Sequence, residues 1–216
     1  MSGEPVQARR GLEGYPANFI VAGRRCVVIG AGRIAARKIE GLLGADAQVV
    51  VIAPAAVERV QDWAANGTLV WLERSFAPAD LDDAWLVITA TGMPEVDRAV
   101  YEAGEARRVW VNSADDRANC SFTLMSVVRQ GDLVVTIGTN GRSPALATFL
   151  KDHVATEMGP EYEALLELLS QEREAIRATG RSSEDADWRR ALDSGILDLI
   201  RAGQEAEARE LLRSCL

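Results

Sequence analysis

The stretch from Val27 to Lys38, VVIGAGRIAARK, constrains the fold more than any other. A β-branched run at 25–30, RCVVIG, ends in glycine. Helical spacing follows over 33–43, with Ile34, Ala35, Ile39, Leu42 and Leu43 sharing a face. The junction reads G-x-G-x-x-A, carried by Gly30, Gly32 and Ala35. In such a junction the first glycine permits a tight turn and the second lets a diphosphate approach the backbone. The small third residue lets the helix pack close to the strand. The helix start then offers free N–H groups and the positive end of its dipole to phosphates. Without a ligand, the same residues make a tight strand-to-helix turn and nothing more.

The chain repeats this rhythm. Further strands are predicted at 48–53, 68–73, 84–90 and 108–113, with helices at 57–65 and 94–106. Strands and helices alternating through short links predict a parallel sheet with right-handed crossovers. Near residue 114 the rhythm changes. Strands predicted at 121–128 and 132–138 flank Arg129-Gln130-Gly131, read as a hairpin turn. Helices follow at 144–158, 161–178, 188–203 and 205–216, with a polar break at 179–187. The predicted class is α/β: a Rossmann-type parallel sheet over 1–114, a small α+β region over 115–158 and a helical C-terminal region over 159–216. Leu165, Leu166, Leu169 and Ile176 give the helical region an apolar face, for a dimer interface or for packing on its own domain.

Bulk properties exclude several classes of partner. With 24 Lys+Arg against 32 Asp+Glu the formal charge is −8, and no basic stripe for nucleic acid is present. No apolar run approaches the roughly 20 residues that span a membrane. The opening MSGEPVQARRGLEG lacks the apolar core of a secretory signal. Cys26, Cys120 and Cys215 are scattered, and His153 is the one histidine. That set has no zinc-site spacing and fits reduced thiols in a cytoplasmic protein.

Two further clusters could carry chemistry. NSADD at 112–116 ends the fifth predicted strand. Ligands collect beyond the carboxyl ends of such strands. Asp115 and Asp116 therefore read either as a general base beside a nicotinamide or as a solvated turn. GTNGRSP at 138–144 joins a strand to a helix, with Ser143 as N-cap and Pro144 at the first helical position. It is either a capped loop or an anion site for carboxylates, with Arg142 as the cation. After the second strand, Ile52-Ala53-Pro54-Ala55 offers neither an acid nor an arginine, so these residues do not decide between NAD and NADP.

Taken in order, YPANFIVAGRRCVVIGAGRIAARK, VVVIAP, LVITAT, VNSADD, SF and GTNGRSPALA resemble the precorrin-2 dehydrogenase family, the amino-terminal part of sirohaem synthase that also occurs alone. The resemblance runs from about Tyr15 to Met158; beyond that the chain matches only in being helical. It implies NAD-dependent oxidation of precorrin-2 to sirohydrochlorin in a homodimer. The region over 115–158 would serve dimerisation, and the substrate cleft would lie between it and the Rossmann domain. It implies that Gly30, Gly32, Arg33, Ile34, Pro54, Ala55, Thr89, Ala90 and Thr91 bind NAD. It makes Asp115 the general base, with Asp116 behind it, and gives substrate contacts to Asn112, Thr139, Asn140, Gly141, Arg142 and Ser143. No resident metal is implied.

The chain departs from the family pattern in places. Gly92-Met93 stand where relatives often carry acidic or amide residues. Gly138 stands where some carry a serine that can be phosphorylated, so that regulation is not expected. The sequence ends before a methyltransferase domain, and the expected protein is not the full sirohaem synthase. Two alternatives stay open. One adds iron insertion into sirohydrochlorin, for which His153 is the only histidine and a weak candidate ligand. The other is a non-enzymatic module that senses NAD and gates a partner.

Overall fold

The structure, a computed structural model, describes residues 14–216. The leader expectation for the first residues lies largely outside that range. The chain divides into two compact units, one through Leu124 and one from Met125 to Leu216.

The first unit is built on five parallel strands: β1 (Arg25–Ile29), β2 (Gln48–Ile52), β3 (Val70–Leu72), β4 (Leu86–Thr89) and β5 (Trp110–Ser113). Helices α1 (Arg33–Leu43), α2 (Glu58–Ala65) and α3 (Pro94–Arg107) connect them. The strand order β3-β2-β1-β4-β5 is that of a Rossmann sheet, as the alternating pattern predicts. Val27 and Val28 are wholly buried, so β1 is covered on both faces, as parallel strands require. Alternation along β1 then feeds two separate cores. Cys26 and Val28 pack with Ala35, Ile39, Leu42 and Val60 on the face of α1 and α2. Val27 and Ile29 pack with Leu81, Val100 and Val111 on the face of α3. Burial also pushes the Cys26 thiol up to about 11, leaving it protonated and inert at neutral pH.

Ile34 departs from the predicted α1 face. It is 52% exposed, whereas Ala35, Ala36, Ile39 and Leu42 are buried. At 3.6 residues per turn Ile34 lies about 140° around the helix from Ile39, off the stripe that faces the sheet.

The second unit opens with an antiparallel pair, β6 (Ser126–Gln130) and β7 (Leu133–Ile137). The predicted hairpin turn shifts. Gln130 pairs with Leu133, so the turn is Gly131-Asp132, with φ +55° at Gly131. The predicted strand start at Ser121 also moves, to Ser126. Residues 121–122 instead lie along the edge of β5: the Ser121 and Phe122 amides donate to the Val111 carbonyl, and Ser121 Oγ accepts from the Val111 amide at 2.7 Å. That covers part of an otherwise open sheet edge.

Helices α4 (Pro144–Glu157), α5 (Glu161–Ala178), α6 (Trp188–Leu192), α7 (Ile196–Arg201) and α8 (Glu205–Cys215) complete the unit. The helix expected over 188–203 is broken in two because Gly195 adopts φ +86°. Leu165 and Leu168 of α5 close a core with Ala191, Ile196, Ile200, Ala208 and Leu212. The apolar face of α5 is thus used, at least in part, within its own unit. Glu172 of α5 is buried and is held by Arg213 at 2.8 Å and Arg209 at 3.4 Å, both on α8.

Candidate functional site

In the order β3-β2-β1-β4-β5 the chain reverses its direction of winding between β1 and β4. Open α/β sheets bind ligands in the crevice outside the carboxyl ends of the strands at that point. The residues there are the Gly30–Arg33 turn after β1 and the Ala90–Thr91 turn after β4.

Gly30 has φ +100°, and a Cβ built on it would lie 2.5 Å from the Ala90 carbonyl oxygen. Only glycine fits between the two turns. At Gly32 a Cβ would meet nothing within 4 Å. Packing within the protein therefore does not demand glycine there; the open space above the backbone is what a diphosphate needs. Ala35, wholly buried, sets the close approach of α1 to the sheet. Gly32 gives α1 no side-chain cap, and its first turn holds no acid. The leading amides of α1 are thus free to meet an anion. The residues present fit a dinucleotide.

After β2, Pro54 and Ala55 are exposed, and the Ala53 carbonyl accepts from the Trp71 indole at 3.0 Å. The first cation further along, Arg59, is committed to Glu40 at 2.5 Å and lies over the Trp63 ring. After β4, the Thr89 side chain is buried and its hydroxyl donates to Asp97; Thr91 Oγ1 donates to the same carboxylate oxygen at 2.7 Å. The sequence reading missed Asp97, because an acid in the first turn of a helix reads as a response to the helix dipole.

The two aspartates after β5 part company. Asp116 caps a short helical turn: its carboxylate accepts from the Ala118 amide at 2.8 Å and the Asn119 side chain at 3.0 Å. Asp115 is exposed and makes no side-chain hydrogen bond or ion pair among the described residues. Its placement follows from the sheet. Ser113 pairs with Thr89, and the Ala114 amide donates to the Thr89 carbonyl at 2.9 Å. Asp115 therefore leaves the sheet beside the end of β4. Asn112, predicted to touch substrate, is buried, and its amide nitrogen donates to the Phe122 carbonyl at 3.0 Å. Cys120 Sγ accepts from the Ser113 amide at 3.2 Å, and burial raises its pKa.

In the second unit, the loop between β7 and α4 is largely self-satisfied. Thr139 Oγ1 accepts from the Ser143 amide at 3.2 Å and donates to the Ser143 carbonyl at 3.1 Å. Asn140 and Gly141 turn the chain at φ +50° and +68°. Ser143 is the N-cap, accepting from the Leu146 amide at 3.2 Å. The Arg142 side chain is exposed and makes no ion pair among the described residues. His153, on α4, is exposed and stacks on Phe149.

Comparison with known proteins places the chain among NAD(P)-binding relatives. The model of a family described as "Putative NAD(P)-binding" matches residues 18–126. A siroheme synthase of Nitrosococcus oceani is 34% identical over 95% of this chain and 44% of its own length. One from Xylella fastidiosa is 33% identical over 89% and 41%. The chain thus spans less than half the length of these curated relatives. The solved structure titled "SirC, precorrin-2 dehydrogenase" superposes with a TM-score of 0.74 at 23% identity, covering 93% of this chain and 100% of that one. At that identity the likeness is one of fold.

Proposed function

From the premise that this chain belongs to the NAD(P)-binding family matched over residues 18–126, we propose that it oxidises precorrin-2 to sirohydrochlorin with NAD. The observation that carries the reading is Asp115: a free carboxylate at the carboxyl end of β5, one strand from the β1–β4 crevice. The other acid of the pair is consumed by its turn. An oxidation that removes a hydride and a proton needs a proton acceptor, and Asp115 is the acid of the pair available to be one.

Bound NAD would take the hydride from the reduced macrocycle. The chain supplies the rest. Gly30, Gly32 and the leading amides of Arg33 and Ile34 hold the diphosphate. Pro54 and Ala55 flank the adenosine side, and the backbone of Thr89, Ala90 and Thr91 flanks the nicotinamide side. Asp115 accepts the proton. The segment after β2 offers no acid for a ribose 2′-hydroxyl, and Arg59 is paired with Glu40, so the choice of NAD over NADP rests on the family resemblance. Precorrin-2 is rimmed with carboxylates, and Arg142 is the cation in the 138–144 loop free to meet one, with Thr139, Asn140, Gly141 and Ser143 shaping that loop. Asn112 acts by holding residues 120–122 in place.

The reading includes a cytoplasmic homodimer joined through the 115–158 region. A two-stranded sheet is marginal alone. Val127 and Val134, on the outer face of β6 and β7, are each 40% exposed, and Phe149 of α4 is 67% exposed. A second copy would cover them. The name of the curated relatives favours one second reading, in which the protein also inserts ferrous iron and Asp115 takes the displaced pyrrole protons.

The test is anaerobic turnover of precorrin-2 with NAD, followed as NADH, for the native chain and Asp115→Ala. Turnover that disappears in the variant while NAD affinity stays supports the reading. NAD binding without turnover in either protein would leave a sensing module as the better account.

A further inference from the structure

We propose that Asp97 is a positioning residue of the cofactor crevice, acting through the two threonines on either side of Ala90. The inference rests on the NAD reading of that crevice and adds a residue that the glycine motif does not contain.

Asp97 is 1% exposed, on the first turn of α3. A carboxylate taken out of water is costly unless its oxygens are hydrogen-bonded. Asp97 makes no ion pair among the described residues. Its side-chain partners are two hydroxyls: a single oxygen, Oδ1, accepts from Thr89 and from Thr91. Neighbouring inward positions of α3 carry Val100 and Ala103, so packing alone would be served by an apolar side chain here. What distinguishes the acid from an apolar side chain here is the pair of hydroxyls it grips.

What it grips is the wall of the crevice. Between the two threonines, the Ala90 amide donates to the Ile29 carbonyl at 2.9 Å, and the Ala90 carbonyl fills the space beside Gly30. Thr91 Oγ1 also accepts from the Met93 amide at 3.0 Å, tying the carboxylate to the turn through Gly92, where φ is +68°. One buried oxygen therefore fixes the backbone from the end of β4 to the start of α3. That segment lies opposite the glycine turn at the β1–β4 switch point. If both hydroxyls are released, the Ala90 peptide can rotate and the wall no longer holds one shape for the nicotinamide half of the dinucleotide. Fixed polar groups bind tightly because little ordering remains to be done on binding.

The test is NADH titration by fluorescence, with steady-state KM for NAD and for precorrin-2, on the native chain, Asp97→Ala, Asp97→Asn and Thr91→Val. Asp97→Ala is expected to weaken NADH binding and raise KM for NAD about tenfold, the effect of losing one charge-assisted contact. KM for precorrin-2 and kcat at saturating NAD should hold within about twofold. Asp97→Asn keeps the accepting oxygen and should recover most of the lost affinity. Thr91→Val, which leaves the buried carboxylate and Thr89 in place, should show about a threefold loss and serves if the alanine variant does not fold. A lowered Tm with unchanged NADH affinity in Asp97→Ala, or unchanged affinity in Thr91→Val, overturns the proposal and makes the cluster purely structural. A native chain that binds no dinucleotide overturns the NAD reading itself, and this inference with it.

Discussion

Two strand-to-helix turns carry the candidate chemistry, and they are built in opposite ways. The turn from β1 to α1 has no side chain where one could intrude. Gly30 leaves room for the Ala90 carbonyl, Gly32 faces open space, and the first amides of α1 have no cap. The turn from β7 to α4 satisfies itself. Thr139 is closed onto Ser143, Ser143 caps α4, and Pro144 sits at the first helical position. One turn leaves its backbone donors for a ligand. The other spends several of them on its own shape and presents two exposed side chains with no hydrogen-bond partner among the described residues, Asn140 and Arg142, of which Arg142 carries the charge. Backbone donors at a bare helix start suit a diphosphate, whose oxygens can be met from several sides. A rigid loop with a single guanidinium suits a carboxylate, which the planar fork meets edge-on.

The largest expected effect breaks the first turn. Gly30→Ala places a methyl group 2.5 Å from the Ala90 carbonyl at a backbone angle of φ +100°. Both backbones must shift, and NADH affinity should fall by more than about 100-fold, the loss of two or more hydrogen bonds to an ion. Near-native affinity, measured by titration, would mean that the turn is not the dinucleotide site. Next comes Arg142→Ala, which tests the other half of the comparison. KM for precorrin-2 should rise about tenfold, with NADH affinity unchanged, as expected for one lost charge-assisted contact outside the cofactor site. A change in NADH affinity would remove the division of labour between the turns.

How much of this was legible in the sequence differs between the same two regions. The first unit was readable because its strands are continuous apolar runs and its turn needs glycine for steric reasons that hold in any such sheet. The first strand of the hairpin was placed too early: SFTLMSVV has strand composition throughout, yet Ser121 and Phe122 are drawn onto the edge of β5 by hydrogen bonds that no local pattern announces. The break at Gly195 was hidden because a single glycine within a helical pattern is usually tolerated. At the candidate site, sequence alone could not separate Asp115 from Asp116. The difference lies in which carboxylate the following turn captures, and Asn119 decides that from three residues away. Asn112 carries a substrate contact only through the family resemblance; local pattern does not announce that in the folded chain its amide nitrogen donates to the Phe122 carbonyl.

Ser143→Ala removes the cap of α4 and should cost about 1 kcal/mol of stability, seen as a lower Tm, with little change in KM. If KM for precorrin-2 rises as far as in Arg142→Ala, the serine hydroxyl reaches the substrate and the second turn is less self-contained than its hydrogen bonds indicate.

The smallest effect lies outside both turns and shows whether the first unit's stability can be changed without touching its ligand site. The side-chain hydrogen bond from Arg74 holds the Asp80 carboxyl below its ordinary pKa, aided by the Ala77 amide and the positive charge of Arg25 and opposed by burial. A depressed carboxylate contributes stability above its unfolded pKa and loses it as pH falls through its folded value. Native protein and Asp80→Asn should therefore differ in Tm at neutral pH, and the gap should close as the solution is taken below about pH 4. Arg74 is 46% exposed, so solvent screens the pair and the neutral-pH difference should stay below about 1 kcal/mol. NADH affinity at neutral pH should be the same in both proteins, because the Arg74–Asp80 pair braces the segment before β4 and neither residue belongs to the crevice at the strand ends. A gap that widens on acidification would show that the ion pair is not what Asp80 contributes.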